Sequence, residues 1–355
     1  MGKEAFLEKM KRYTGDFDKT FGGEPRTETD SIDGDGLEDL EVAAAEAQVV
    51  LRTHEGDQID IELDTYEGGP KLETEREDAM LKISAEKADP RFSIGRVPTV
   101  QLTVRVPDRL WNSLAVDTES GGVKVSNVDI SRFGAKTNSG DLEITKVKAD
   151  ETSLRTSSGD MEVRQLEGQS LSFASSSGVV SLTDVGGDIY GKAKSGKIDV
   201  DGFEGGELEL KSRSGSIDAQ KIKAAKVYFR TTSGEIDVDE LDTKESVFEA
   251  DSGEITGRRL SGDVRCRSAS GEVGLEFEEA GSNVFVDTKS GDIELRQNGR
   301  AWNAELKAHT SSGDIRIGAV LDPAVRNDDH RVEGIIGTGE GRIELNSRSG
   351  DIELS

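Results

Sequence analysis

Three consecutive segments decide the fold: SGKIDVDGFEGGELELKSR (Ser195–Arg213), SGSIDAQKIKAAKVYFRTT (Ser214–Thr232) and SGEIDVDELDTKESVFEAD (Ser233–Asp251). Each is 19 residues long and each opens on Ser-Gly. Working outward, twelve Ser-Gly pairs fall in phase, with serines at Ser120, Ser139, Ser158, Ser177, Ser195, Ser214, Ser233, Ser252, Ser270, Ser290, Ser312 and Ser349. Their spacing stays at 18–20 residues as far as Ser290, then widens to 22 and finally to 37, which is two units.

Aligned on the glycine, the units show what they bury. Two residues on stand Ile198, Ile217 and Ile236, and the same column holds Val, Leu, Met or Ile in every other unit. Four residues on stand Val200, Ala219 and Val238, with Gly257 as the odd member of that column. A spacing of two puts both columns on one face of a strand. Three residues before the glycine the side chain is always small, as at Thr118, Thr137, Ser212 and Thr231, and the serine of the pair is expected on the same inward side. A second strand runs through Leu208/Leu210 and Val227/Phe229, and an apolar corner recurs at Val147, Leu166, Val185, Ile222 and Leu241.

A unit this short closes no core alone. Stacked in register, like residues sit over like. The expected fold is all-β: a right-handed parallel β-solenoid (β-helix) of ~19-residue rungs, a rod on the order of 60 Å long at one rung per strand spacing. The inward Ser and Thr are expected to pack and hydrogen-bond at a tight corner. They are not expected to be nucleophiles, because three histidines (His54, His309 and His330) are too few to serve them as bases.

The rest of the chain divides around the repeats. Residues 1–21 read as an amphipathic helix, with Phe6, Met10, Tyr13 and Phe17 at helical spacing. It would cap an open end or, as an alternative, make peripheral contact with a membrane. Residues 22–36 read as a polar, Gly-rich linker, 37–117 as irregular first rungs and cap, and 118–355 as the regular repeats. The Gly318–Gly341 segment reads as a turn-rich excursion, after which Arg342–Leu345 and Asp351–Leu354 would close the rod.

Composition narrows the function. The 355 residues carry 45 Lys+Arg against 71 Asp+Glu, a formal charge of −26, which excludes a general nucleic-acid binder. No run approaches a membrane span, and Met1–Gly23 lacks the apolar core of a secretory signal. On that basis the default location is cytoplasmic, with association with the cell envelope or surface as the alternative. Cys266 is the only cysteine, and no zinc pattern or other cofactor motif is present. The calcium nonapeptide G-G-x-G-x-D is absent too.

Charge is nevertheless patterned. Acids recur one residue after the glycine (Asp141, Asp160, Glu235, Glu254, Glu272, Asp292, Asp314, Asp351) and three after it (Glu143, Glu162, Asp199, Asp218, Asp237, Glu294, Glu353). Four residues before it the sign reverses: Lys136, Arg155, Lys192, Lys211, Arg230 and Arg267, interrupted by Ala174 and Glu249. These stripes either solubilise the rod or form a lengthwise binding surface. In the second case the acidic stripe would attract cationic peptides or metal ions, and the six basic residues an anionic envelope polymer.

The recurrent S-G-[DE]-[IV]-[ED]-[LVI] units (Ser158–Val163, Ser290–Leu295, Ser349–Leu354), the lead-in strand at Thr103–Pro107 and the G-x-G-x-G-x-I-E-L segment at Gly337–Leu345 resemble the bacterial "putative adhesin" β-strand-repeat family, the LiaX- and YvlB-like proteins. The resemblance spans about residues 37–355. It implies a non-enzymatic adhesin-like binding or scaffold protein tied to the cell envelope or its stress response, with no catalytic residues to carry over. Its partner would be an envelope polymer, a cationic peptide, another protein or a second copy of the chain. Two alternatives remain. A β-helical polysaccharide-acting enzyme would need long loops to wall a groove, and the even 18–20-residue steps leave no room for them. A self-assembling filament would need open ends, which a capping helix would close.

Overall fold

The computed structural model describes residues 24–85, 99–278, 283–299, 301–322, 325–328 and 330–355. The helix expected over 1–21 lies outside them. Every regular element among the described residues is a β-strand. The chain divides into two compact units, residues 1–148 and 149–355.

In the second unit the Ser-Gly period is the coil pitch. Counterparts pair in parallel, one rung to the next: Met161, Val180, Ile198, Ile217, Ile236, Ile255, Val273 and Ile293 form one unbroken column. Leu154, Phe173, Gly191, Leu210, Phe229, Phe248, Cys266 and Val286 form another. Volume is traded between neighbours, along a column or within a rung. A Cβ on Gly191 would lie 2.1 Å from the Phe173 ring, and one on Gly257 would lie 2.7 Å from Leu260. Those glycines stand in core columns because an adjacent large side chain fills their space. Phe229 and Phe248 stack with ring centroids 5.7 Å apart.

The burial pattern of a rung, BiBieBeBeeBiBeBee over Leu142–Ser158, breaks its alternation at places that recur in later rungs. These are bends. At the Ser-Gly bend the rungs approach so closely that a Cβ on Gly215 would sit 2.0 Å from the Gly196 carbonyl oxygen. Only glycine fits there. At several bends the small residue three places earlier turns its hydroxyl to these carbonyls, as Thr118 Oγ1 to Gly121 O at 2.7 Å and Thr310 Oγ1 to Gly350 O at 2.9 Å; Ser212 and Ser268 do not, and Ala193 and Ala250 fill the place by size alone. The serine of the pair, expected inward, is exposed throughout. The bend makes two consecutive residues face out, so the inward column stops at the Thr/Ser. A second bend lies six residues after the glycine. There Asn127, Lys146, Gln165, Asp184, Lys221, Glu240 and Arg259 all adopt positive φ, between 51° and 61°.

Part of the acidic stripe is structural. Asp160 Oδ1 accepts from the Val179 N–H at 2.8 Å, Asp292 Oδ1 from Asp351 N–H at 2.8 Å, and Asp351 Oδ1 from Asp314 N–H at 2.9 Å. An Asp directly after the glycine therefore ties its rung to the next. Glu235, Glu254 and Glu272 occupy the same place.

In both units a segment distant in sequence lies between two rungs. In the first unit, Asp39–Ala44 pairs in parallel with both Met80–Ala85 and Leu110–Thr118, and Gln48–His54 with both Gln101–Pro107 and Val123–Thr137. In the second unit, Gly341–Ser349 lies between Val284–Ser290 and Ala304–Thr310, and Ile352–Leu354 between Ile293–Gln297 and Ile315–Ile317. The segment 342–354 thus does not close the stack; it is the penultimate rung. Three of the outermost parallel strands are covered by antiparallel ones, while Ile315–Ile317 pairs only with Ile352–Leu354 among the described residues. Gln58–Tyr66 covers Gln101–Pro107, Leu72–Glu77 covers Met80–Ala85, and Arg331–Ile336 covers Ala304–Thr310. The expected linker is also corrected here: Pro25–Asp33 is an edge strand on Gln58–Tyr66. Such a strand needs only backbone hydrogen bonds and short polar pairs, such as Thr27 Oγ1 to Asp64 Oδ1 at 2.8 Å, so it shows no apolar alternation. Its proline and acids suit an exposed edge.

Three outcomes follow from this architecture. Gln165→Gly relieves a left-handed backbone and raises stability by about 0.5–1 kcal/mol, whereas Gln165→Val lowers it; denaturant melts measure both. Ile352→Asp puts a charge between two rungs and costs at least about 3 kcal/mol. Hydrogen exchange should then quicken in Ile293–Gln297 and Ile315–Ile317 together, and quickening confined to residues 341–355 would contradict the intercalated order. Partial burial, and then the charges of Glu254, Asp292 and Glu294, hold the Glu272 carboxyl above its ordinary value of 4.5. A raised carboxyl penalises the ionised folded state, in full above the folded value and not at all below the ordinary one. Glu272→Gln therefore raises the melting temperature at neutral pH, and the gain disappears once the pH falls below 4.5.

Candidate interaction face

On the strands leading into each Ser-Gly bend, the outward positions lie six, four and two residues before the glycine. The six basic residues expected to form a stripe all occupy the middle position, and the structure separates them. Lys136, in the first unit, is paired with Asp117 at 3.0 Å. In the second unit the column runs Arg155, Ala174, Lys192, Lys211, Arg230, Glu249, Arg267, Asp287. Glu249 bridges Arg230 at 3.1 Å and Arg267 at 3.4 Å, and so ends the positive run. Only Lys192, Lys211 and Arg230 stand as three like charges on adjacent rungs.

Those three rungs carry more than the stripe. The position before the cation holds Tyr190, Glu209 and Tyr228 in register, and the position after it holds Lys194, Arg213 and Thr232. Tyr190 is one of few exposed large side chains, at 41%. Its hydroxyl contacts Glu207 Oε2 at 3.3 Å, and the nearby Glu207 charge raises its pKa, so the phenol stays neutral. Tyr228 is half-buried: its hydroxyl donates to Glu249 Oε2 at 2.9 Å, and Lys211 Nζ sits 5.1 Å from its ring centroid. Lys211 also bonds Glu209, the first cause of its raised pKa. Lys192, Lys194 and Arg213 are exposed and have no ion-pair partner among the described residues. Tyr190, Lys194, Arg213 and Tyr228 were legible in the same two-residue alternation, but only the column carrying the stripe draws the eye in the aligned units.

Chemistry of other kinds finds little footing among the described residues. No His, Cys, Asp and Glu group is arranged to hold a metal. Cys266 is buried, and burial pushes its thiol far above the ordinary value. The histidine rings face backbone carbonyls: His54 Nε2 that of Gln58 at 2.7 Å, His309 Nδ1 that of His330 at 3.2 Å, and His330 Nδ1 that of Gly313 at 3.1 Å. A depression of about 550 Å³ in the first unit is lined by Ser120, Ser139, Glu46, Lys124, Asp141 and Glu143, with no imidazole to activate either serine. A smaller one of about 180 Å³ in the second unit lies against Arg265, Phe285 and Glu344. No helix among the described residues is long and apolar enough to cross a membrane.

Several solved structures resemble the chain at low identity. A "putative adhesin" from Parabacteroides distasonis is 15% identical, over 78% of this chain and 99% of that one, with a TM-score of 0.39. A "putative lipid binding protein" from the same organism is 15% identical, over 78% and 98%, with a TM-score of 0.38. A "putative cell adhesion protein" from Clostridium sporogenes is 9% identical, over 93% and 99%, with a TM-score of 0.23. No curated protein matches the sequence. The Toastrack DUF4097 family model matches residues 37–201 and again 186–355, spanning the repeats and the lead-in strands on which the resemblance to adhesin-like repeat proteins rests. The chain belongs to the Toastrack DUF4097 family.

Proposed function

We propose that the chain is a non-enzymatic, adhesin-like scaffold that binds a component of the bacterial cell envelope through the outward faces of its stacked strands. The observation that carries this reading is the regularity of the second unit. From Glu151 to Phe277 its parallel rungs follow one another at 18- or 19-residue steps. They present flat sheets of repeated charge and no loop-walled groove among the described residues. An enzyme of this architecture needs such walls to enclose a sugar and exclude water. A binder needs only a repeated surface, where many weak contacts add.

The adhesin names of two of the solved neighbours support association with the cell surface, in preference to the cytoplasmic location expected from the N-terminal sequence. A link to the envelope stress response remains part of the proposal on the family resemblance alone. The antiparallel covers support a scaffold over a self-assembling filament, because they shield the longer outermost strands, Gln101–Pro107, Met80–Ala85 and Ala304–Thr310, from edge pairing.

Co-sedimentation tests the proposal. The purified chain should pellet with insoluble envelope fragments, release at high salt, run as one monodisperse species without them, and liberate no reducing ends from envelope polysaccharide. A chain that stays in the supernatant at every salt concentration, or that cuts the polymer, is not this scaffold.

A further inference from the structure

We infer that the face built by Tyr190, Lys192, Lys194, Lys211, Arg213 and Arg230 is a binding track for a linear carboxylated polysaccharide, laid along the stack with successive sugars on successive rungs. The inference rests on the scaffold reading and names the ligand class for one of its faces.

Charge is the first argument. The nine outward residues of these three rungs hold five cations (Lys192, Lys194, Lys211, Arg213, Arg230) and one acid (Glu209), a net charge of 5 − 1 = +4 in a chain whose formal charge is −26. Like charges directly across a ladder are unfavourable, by roughly 0.2–1 kcal/mol a pair. From Arg230 onward the column alternates in sign, through Glu249, Arg267 and Asp287. Nothing in the fold requires Lys192, Lys211 and Arg230 to be all positive, since the same position tolerates Ala174, Glu249 and Asp287 on an unchanged backbone register. A bound polyanion turns that local repulsion into attraction.

Geometry is the second. Rungs repeat at about 4.8 Å, the strand spacing, and a pyranose advances a polymer by a closely similar distance. Along a two-fold chain successive carboxylates point to alternate sides, and so meet cations of two flanking columns in turn. The columns of Lys192 and Lys194 stand about 7 Å apart, two residues along the strand, and flank a chain one sugar wide. Tyr190 supplies an exposed ring beside them, an amphipathic platform for the C–H face of a sugar. Beyond Tyr190 the track stays open, over Ser172, Ala174 and Ser176 to Arg155, and at the other end Glu249 and Asp251 stop it. A bilayer would press on a wide area, and this patch offers one exposed aromatic and acidic neighbours. Single-stranded nucleic acid wants a stacking platform for each base, and Glu209 stands where the middle one would be.

The test is titration calorimetry with polygalacturonate, alongside neutral dextran, phosphatidylglycerol vesicles and single-stranded DNA. Polygalacturonate should bind, more weakly as salt rises, and dextran should not. Lys192→Glu, Lys211→Glu and Arg230→Glu together should lower affinity at least about tenfold, a change of about 1.4 kcal/mol. Tyr190→Ala should lower it about threefold with an unchanged salt dependence, because it removes no charge. Reversing Lys221, Lys223 and Lys244, which makes the same change in net charge away from the track, should leave affinity within about twofold. If the triple variant does not fold, Lys192→Gln with Lys194→Gln removes two exposed, unpaired cations and should still cost several-fold. Equal loss in the control variant, undiminished binding by the track variants, or preference for vesicles or DNA over polygalacturonate overturns the inference. If polygalacturonate fails while envelope fragments still pellet the chain, the track is wrong and the scaffold stands; if both fail, both fall.

Discussion

The structure depends on one constraint, the vertical stacking of identical bends. A parallel ladder puts each residue over its counterpart, so whatever is done at one rung must be done at its neighbours. At the Ser-Gly bend the backbones approach until no Cβ fits, as the 2.0 Å clearance at Gly215 and 2.1 Å at Gly140 show. The glycine column is therefore not a preference summed over units. A side chain at any one of these places would push two rungs apart and cost the ladder bonds on both sides. The hydroxyl column beside it follows, because carbonyls crowded at the bend need donors close by, and Thr or Ser is the smallest side chain that brings one.

This explains what could be read from the residues alone. The period, the inward columns, the parallel pairing and the small-hydroxyl corner are properties of a single unit repeated, and repetition makes each legible many times over. Gly191 and Gly257 show the same logic in reverse. They look like gaps in a hydrophobic column until Phe173 and Leu260 are seen to fill them. Features set by one contact between distant segments were not legible. The placing of residues 341–355 between two earlier rungs leaves the repeat intact in every local respect, and its one trace is the step of 37 residues between Ser312 and Ser349. The edge strand Pro25–Asp33 has no apolar face, so it reads as a linker. The candidate face was half legible. Lys192, Lys211 and Arg230 announced themselves by sign, while Tyr190 and Arg213 are one alternation away on either side and gain meaning only once the rungs are laid in register.

Intercalation of a segment distant in sequence has a physical logic in both units. A solenoid that simply stopped would end on a rung held from one side only, the place where fraying begins. Gly341–Ser349 is bonded to rungs on both faces, and the outer strand Ala304–Thr310 is covered by the antiparallel Arg331–Ile336, so neither is held from one side only. The first unit does the same with Asp39–His54 and its own antiparallel cover. These covers also give each stack an edge unlike its interior, which discourages pairing with a second copy.

The same register that secures the core makes the surface a printed pattern, and there the fold leaves choice. Inward positions are held by volume, and bends by clearance. Outward positions four residues before the glycine accept Lys, Arg, Ala, Glu, Asp, Asn and His on an unchanged ladder. Where the only local demand is to avoid like neighbours, alternation of sign is the low-energy solution, and the stretch from Arg230 to Asp287 adopts it. The acidic run beside the glycine departs from alternation partly for a backbone reason, since Asp160, Asp292 and Asp351 each accept an N–H from the next rung. The basic run at Lys192, Lys211 and Arg230 has no such backbone bond to account for it. Glu209 and Glu249 offset Lys211 and Arg230, which leaves Lys192, Lys194 and Arg213 beside the exposed Tyr190 as the charge a proposed partner would meet.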